Sequence, residues 1–193
     1  MTRPNADIVV IGGSSGSIPV LIKILDGIPA GFSIPVVIVV HRLKNVDSDL
    51  KAILGSRHTI TEPEDKEPVL NGHIYLAPQN YHLLVEEDRT FSLDYSELIN
   101  FSRPSIDVTF AGVADIYKER SIGIVLSGSN KDGAEGLQAI IAAGGMGVVQ
   151  DPLSAEYTIM PEAAIAMNTA AMVLTPSNII TTIFSIPGNR QTM

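Results

Sequence analysis

Three residues able to perform acyl transfer together each follow a short apolar run. Ser14 lies in Gly12-Gly13-Ser14-Ser15-Gly16, a G-x-S-x-G pattern. It sits between the apolar run Ile8-Val9-Val10-Ile11 and a stretch where Ile18, Leu21, Ile22 and Leu25 recur at helical spacing. Glycines there allow a sharp turn that leaves a serine Oγ projecting at its tip. The N–H groups that open the following helix favour a developing oxyanion. His41 directly follows the apolar residues 36–40, and Asp132 lies in Ser127-Gly128-Ser129-Asn130-Lys131-Asp132-Gly133, just beyond a third apolar run. A nucleophile, a base and an orienting acid are thus expected at one sheet edge, where sites of open α/β folds assemble. Ser14 Oγ is expected within loose hydrogen-bond reach of one His41 nitrogen, with the other nitrogen facing Asp132.

Each residue also has an ordinary explanation. The first glycine-rich turn could cradle a phosphate, which keeps a nucleotide-binding α/β domain in view. It lacks both the G-x-G-x-x-G spacing and the Walker Gly-Lys-Ser/Thr ending. A histidine closing a strand is often a surface or packing residue. An aspartate ahead of a helix is commonly that helix's N-cap. The coincidence of all three positions weighs more than any one of them. Their chain order, Ser–His–Asp, differs from the Ser–Asp–His order of α/β-hydrolases, so the pattern does not imply that fold.

The elements that must position these residues alternate between β-branched runs and amphipathic stretches. Residues 8–11, 36–40, 122–126, 146–150 and 171–174 read as buried strands. A helix is expected over 134–143, closed by Gly144-Gly145, and another over 106–117, entered through Ser102-Arg103-Pro104-Ser105 with proline suited to a first turn and serine to a cap. Residues 82–86 and 90–94 alternate around Glu87-Asp88-Arg89 as a hairpin, and 59–72 reads as an irregular loop. The expected architecture is one α/β domain over residues 1–193. It is a doubly wound, mainly parallel sheet flanked by helices, with a small antiparallel excursion near 73–95.

Composition narrows the function. With 193 residues, a single domain of roughly 150 residues or more is expected. A net charge of −8 without a basic run disfavours nucleic acid as partner. The chain has no cysteine, which removes disulfides, thiolate catalysis and cysteine-bound zinc. His58 and His73 have no partner at metal-ligand spacing, so no metal and no organic cofactor are expected. His82 reads as a structural histidine, and Met160, Met167 and Met172 as core. The longest apolar run, 34–40, is far below the ~20 residues of a membrane span, and a cytoplasmic location is expected.

Several blocks in order give the chain a resemblance to the catalytic domain of the chemotaxis protein-glutamate methylesterases (CheB-type). They are Ile11-Gly12-Gly13-Ser14-Ser15-Gly16, His41, Leu76-Ala77-Pro78 with His82, and Arg103-Pro104-Ser105-Ile106-Asp107. Further along come Leu126-Ser127-Gly128 with Asp132-Gly133-Ala134, Gln150-Asp151-Pro152, and Met160-Pro161-Glu162-Ala163-Ala164. The resemblance implies Ser14 as nucleophile, His41 as base, Asp132 as its orienting partner, and the backbone N–H groups of Ser15 and Ser129 as oxyanion donors. It implies hydrolysis of glutamate methyl esters on the cytoplasmic region of a chemoreceptor, with glutamine deamidation at the same site. The chain departs from the family pattern in three places. Gly12-Gly13-Ser14-Ser15-Gly16-Ser17 stands where Gly-Ala-Ser-Thr-Gly-Gly is usual, Val40 where glutamine is usual, and Gly128-Ser129-Asn130 where Gly-Met-Gly is usual. Family members carry a receiver domain ahead of the hydrolase. None is expected in this chain, which leaves room for a separate regulatory protein. A catalytically weak module that binds a signalling partner is the rival reading. Arg42, Arg103 and Lys131 adjoin motif residues and are expected to form a basic substrate rim.

Overall fold

The computed structural model of the chain describes residues 6–42, 49–55 and 58–184. Near-continuous Val and Ile runs suit strands covered on both faces. The first such run forms β1 (Ile8–Gly13), buried at every position. A helix, α1 (Ile18–Asp26), leads to β2 (Val36–Val40), also buried throughout. The short helix α2 (Leu50–Leu54) precedes two brief strands, β3 (Ile60–Thr61) and β4 (Ile74–Leu76). A hairpin of β5 (His82–Val85) and β6 (Phe91–Asp94) stands apart from the main sheet, and α3 (Ile106–Tyr117) follows it. The second half alternates regularly: β7 (Ser121–Val125), α4 (Ala134–Ala142), β8 (Met146–Gln150), α5 (Ile159–Met167), β9 (Met172–Leu174) and α6 (Pro176–Phe184).

Among the described residues the strands make one seven-stranded sheet in the order β3-β4-β2-β1-β7-β8-β9, with every neighbouring pair parallel. From β1 the chain passes to β2, jumps to the edge strand β3 and returns to β4 between the two, then restarts on the other side of β1 with β7. The direction therefore reverses at β1, and a crevice opens there beyond the strand ends. Alternate strand residues feed two cores. Val9, Ile11 and Ile38 pack with Leu21, Ile24 and Ile179 from α1 and α6. Val10, Val37 and Val39 pack with Phe110, Leu137 and Met160 from α3, α4 and α5.

The parallel sheet, the hairpin and the helix over 106–117 match the sequence expectation, and several details differ. Residues 74–76 belong to the parallel sheet, because β4 pairs with β2, so the antiparallel excursion is only the hairpin. The loop 59–72 contributes the edge strand β3. Residues 171–174 are not buried: β9 is an edge strand, and Met172 and Val173 are exposed. Met160 is core, whereas Met167 and Met172 are exposed, because they lie at the surface ends of α5 and β9. Pro104 precedes the cap instead of entering the first turn; Ser105 is the N-cap of α3 and accepts from Val108 N–H. The C-terminus of α4 closes as expected. Gly144 has φ +89, its N–H donates to Ile141 O, and Gly145 N–H donates to Ile140 O. That pair of bonds is the Schellman arrangement.

Two glycines of the first turn have separate duties. Gly16 adopts φ +74, a left-handed conformation that suits glycine. Gly12 lets α3 approach, since a Cβ there would lie 2.4 Å from Ile106 Cγ2. Gly12→Ala should therefore destabilise the fold by ~1–3 kcal/mol, the usual cost of overpacking. Ile106→Ala in the same chain should relieve the clash. Urea unfolding of the single and double variants measures both, and equal midpoints for wild type and Gly12→Ala would contradict the close approach.

Candidate active site

Ser14 and His41 lie side by side because of sheet register. Gly13 pairs with Val40 across β1 and β2, so the next residue of each strand emerges at the same carboxyl edge. His41 N–H donates to Gly13 O at 3.2 Å, which extends the pairing one step further. Ser14 N–H donates to Ser127 O at 2.9 Å, which ties the serine turn to the loop after β7. Both side chains line a cleft of about 710 Å³, with Ser15, Gly16, Arg42, Asn100, Phe101 and Asn130 also on its wall.

Asp132 completes the group from β7's side of the reversal. It is fully buried, and its Oδ2 accepts from His41 Nε2 at 2.7 Å. It does not cap α4, the helix that follows it, because Gly133 occupies that N-cap with φ +96. Asp132 instead serves the N-terminus of α3. Its Oδ2 accepts from Ile106 N–H at 2.7 Å, and its Oδ1 from Asp107 N–H at 3.1 Å and Ser105 Oγ at 2.9 Å. Burial alone would raise this carboxyl. The His41 hydrogen bond, the two α3 amides and the His41 charge outweigh burial and hold it at about 2. Asp132 is therefore ionised at neutral pH and can only accept. Nε2 of His41 must carry the shared proton, which leaves Nδ1 as the basic nitrogen on the cleft side.

No hydrogen bond joins Ser14 Oγ to His41 among the described residues. The Asn130 amide nitrogen meets Nδ1 at 3.5 Å, while Asn130 Oδ1 accepts from Asp132 N–H at 3.1 Å. Slack nucleophile–base geometry is common in sites without substrate. Ser15 and Ser129, the expected oxyanion residues, are neighbours, with their Oγ atoms 3.4 Å apart. Neither of their backbone N–H groups is used in an internal hydrogen bond among the described residues.

The expected basic rim is less free than its sequence implied. Arg42 lies at the cleft, but its Nη1 pairs with Glu62 at 2.6 Å and its side chain is only 9% exposed. Arg103 donates to the carbonyls of Tyr95 and Ser96 and stacks 3.8 Å over the Tyr95 ring. Lys131 is exposed. Internal partners thus already engage two of the three charges.

Four neighbours escaped the sequence reading. Asn100 donates to Asp107 Oδ2 at 3.1 Å and to Asp132 Oδ1 at 3.4 Å. Asp107 Oδ1 accepts from Gly133 N–H at 2.8 Å and Gly136 N–H at 2.7 Å, joining α3 to the loop that carries Asp132. Burial pushes the Asp107 carboxyl up to about 7, with the Asp132 charge adding to it and the Gly136 and Gly133 amides opposing it. Phe101 and Asn130 are the other two, both on the cleft wall. Asn130 lies two residues before Asp132, which was its available signal, whereas Asp107 is 25 residues away and only its place in the Arg103-Pro104-Ser105-Ile106-Asp107 block could have pointed to it. His82 is structural, as expected: Nδ1 accepts from Ser105 N–H at 3.1 Å and Nε2 bonds Glu97 O at 2.9 Å.

Fold and site together define a doubly wound α/β protein with a serine, a histidine and an aspartate gathered at the carboxyl edge of its sheet. The chain belongs to the CheB methylesterase family, whose sequence profile matches residues 9–183. A putative protein-glutamate methylesterase/protein-glutamine glutaminase of Leptospira interrogans is 45% identical over 172 residues, covering 88% of this chain and 89% of that protein. The protein-glutamate methylesterase/protein-glutamine glutaminase of Thermotoga maritima is 34% identical over 181 residues, or 90% of this chain and 53% of that one. This chain thus spans about half of the Thermotoga protein. The crystal structure of the Thermotoga maritima CheB methylesterase catalytic domain superposes with a TM-score of 0.87 at 33% identity, over 94% of this chain and 98% of that one. No helix among the described residues is long and apolar enough to cross a membrane.

The two acids make opposite contributions to stability. Asp107, at about 7 when folded, lies above the ~4 of an unfolded aspartate. Between those values the unfolded chain loses a proton that the folded chain keeps, so stability falls as pH rises from ~4 to ~7. Asp132, at about 2, lies below the unfolded value, and its contribution is present above ~4 and lost as pH falls toward 2. Asp107→Asn should flatten the decline between pH ~4 and ~7 and leave the acid limb in place. Urea midpoints across that range test this, and an unchanged slope in the variant would contradict it.

Proposed function

We propose that this chain hydrolyses γ-methyl esters of glutamate on the cytoplasmic region of a methylated chemoreceptor, through Ser14, His41 and Asp132. The observation that carries this reading is the 2.7 Å His41–Asp132 pair, held beside Ser14 by the register of β1 and β2. Membership of the CheB methylesterase family supports it, as does the methylesterase/glutaminase name of the relatives.

The chemistry is acyl transfer in two halves. His41 Nδ1 takes the proton of Ser14 Oγ as that oxygen attacks the ester carbonyl. The amide of Asn130 yields the Nδ1 position to the serine hydroxyl in this step. Backbone N–H groups of Ser15 and Ser129 hold the tetrahedral oxyanion. Collapse expels methoxide, which leaves as methanol with the proton from Nδ1. Water then attacks the glutamyl-Ser14 ester, giving a proton to Nδ1. Collapse breaks the acyl–Oγ bond, Nδ1 returns that proton to Ser14 Oγ, and the glutamic acid formed ionises on release. Asp132 stays ionised throughout, fixes the Nε2–H tautomer and stabilises the imidazolium. The same steps with ammonia as leaving group convert glutamine to glutamate.

Methanol release from methylated receptor membranes tests the assignment. Ser14→Ala should abolish turnover while circular dichroism and melting stay at wild type, because a half-buried hydroxyl supports little packing. Asp132→Asn should lower kcat by on the order of 10⁴-fold, as for the orienting aspartate of serine proteases. It should also destabilise the chain, because Asp132 serves the N-terminus of α3. Full activity in Ser14→Ala would move the nucleophile elsewhere, with Ser15 first to be tried.

A further inference from the structure

Residues 99–102 form a tight turn at the mouth of the cleft. Ile99 N–H donates to Ser102 O at 3.2 Å and Ser102 N–H returns to Ile99 O at 2.9 Å. Both central residues have positive φ, +49 at Asn100 and +62 at Phe101, the signs of a type I′ turn. Asparagine tolerates that conformation, but the second position is ordinarily glycine, and a bulky aromatic there is strained. Phe101 gains no packing in return, since it is 97% exposed. A strained residue with no structural benefit points to function.

The turn is held on its inner side and open on its outer side. Inward, the Asn100 amide reaches the Asp107 and Asp132 carboxylates, the second of which orients His41. Outward, Phe101 stands between the main cleft and a smaller one of about 200 Å³, and His41 lines both. Leu98 and Ile99 extend the apolar surface beside it. A methyl ester offers almost no leaving-group surface to bind, so affinity must come from groups remote from the reacting carbon. A substrate that extends beyond the cleft would cover an outward ring at the same time as it presents its ester.

We propose that the 99–102 turn is a docking finger for the protein that carries the ester, anchored by Asn100 and contacting an apolar side chain of that protein through Phe101. This rests on the esterase reading above and names the part of the surface that would select a protein substrate over a small ester.

The experiment compares wild type, Phe101→Gly and Asn100→Asp on two substrates: methylated receptor membranes, followed by methanol release, and p-nitrophenyl acetate. In Phe101→Gly the ratio of kcat/KM for receptor over small ester should fall about tenfold, chiefly through KM, as expected for loss of an aromatic anchor. Its melting temperature should stay at or above wild type, because glycine relieves the positive φ. Asn100→Asp keeps the turn's shape but sets a third carboxylate against Asp107 and Asp132, and should lower kcat on both substrates. An unchanged ratio in Phe101→Gly, or a melting temperature several degrees lower, would overturn the finger. Unchanged kcat in Asn100→Asp would overturn the anchor. A wild-type dimer that Phe101→Gly dissociates, with the ratio intact, would assign the ring to self-association and overturn the proposal. Wild type inactive on both substrates would instead defeat the esterase reading, and the finger with it.

Discussion

A buried carboxylate that must be satisfied wholly from within the protein dictates much of this molecule. Asp132 has no access to solvent, and a buried charge is strongly destabilising unless hydrogen bonds within the protein replace its hydration. Its charge is tolerated because donors from three directions converge on it: His41 from β2, the first amides of α3, and the Ser105 hydroxyl that caps the same helix. A helix N-terminus presents unsatisfied N–H groups and a partial positive charge, so it suits an anion. The aspartate in turn fixes the imidazole's orientation and tautomer. Structural and chemical roles meet in one side chain. His82, which holds Ser105 by its amide, supports that carboxylate from one step further away.

The sheet supplies the remaining geometry. Reversal of winding at β1 sets the ends of β2, β1 and β7 next to one another. Parallel register then aligns Ser14 with His41 to within one residue, and the Ser14–Ser127 backbone bond draws in the loop after β7. Rigid strands thereby fix the protein side of the reaction, while the more exposed turn at residues 99–102 forms the side open to a substrate. Asp107 links the halves. Its carboxylate holds the loop around Gly133 to α3, and it receives the Asn100 amide from the mouth of the cleft.

Much of this was legible in the residues. Unbroken Val and Ile runs marked the strands, Gly144-Gly145 marked the end of α4, and the positions after strand ends marked Ser14, His41 and Asp132. Other features were hidden for physical reasons. Asp132 caps a helix 26 residues earlier in the chain instead of the next one, and local sequence cannot report which helix end a tertiary fold delivers. The edge strand β3 is only two residues long, so its pairing partner alone reveals it, and the strand at 171–174 gave no sign that it would lie exposed at the other edge. Arg42 gave no sign of its ion pair, since Glu62 lies on a distant segment. The Asn100-Phe101 turn defied propensity, because phenylalanine stands where turn chemistry asks for glycine. Local rules tend to fail in this way at functional positions.

The central claim is that Asp132 holds His41 with Nε2 protonated and Nδ1 free to act as base. Nitrogen-15 NMR of the histidine side chains at neutral pH reads this directly, with the His41 signals assigned by His41→Gln. The account predicts that Nε2 of neutral His41 carries the hydrogen and Nδ1 gives the shift of an unprotonated ring nitrogen. Asp132→Asn should abolish that preference. A wild-type His41 protonated at Nδ1, or a tautomer indifferent to Asp132→Asn, would contradict it.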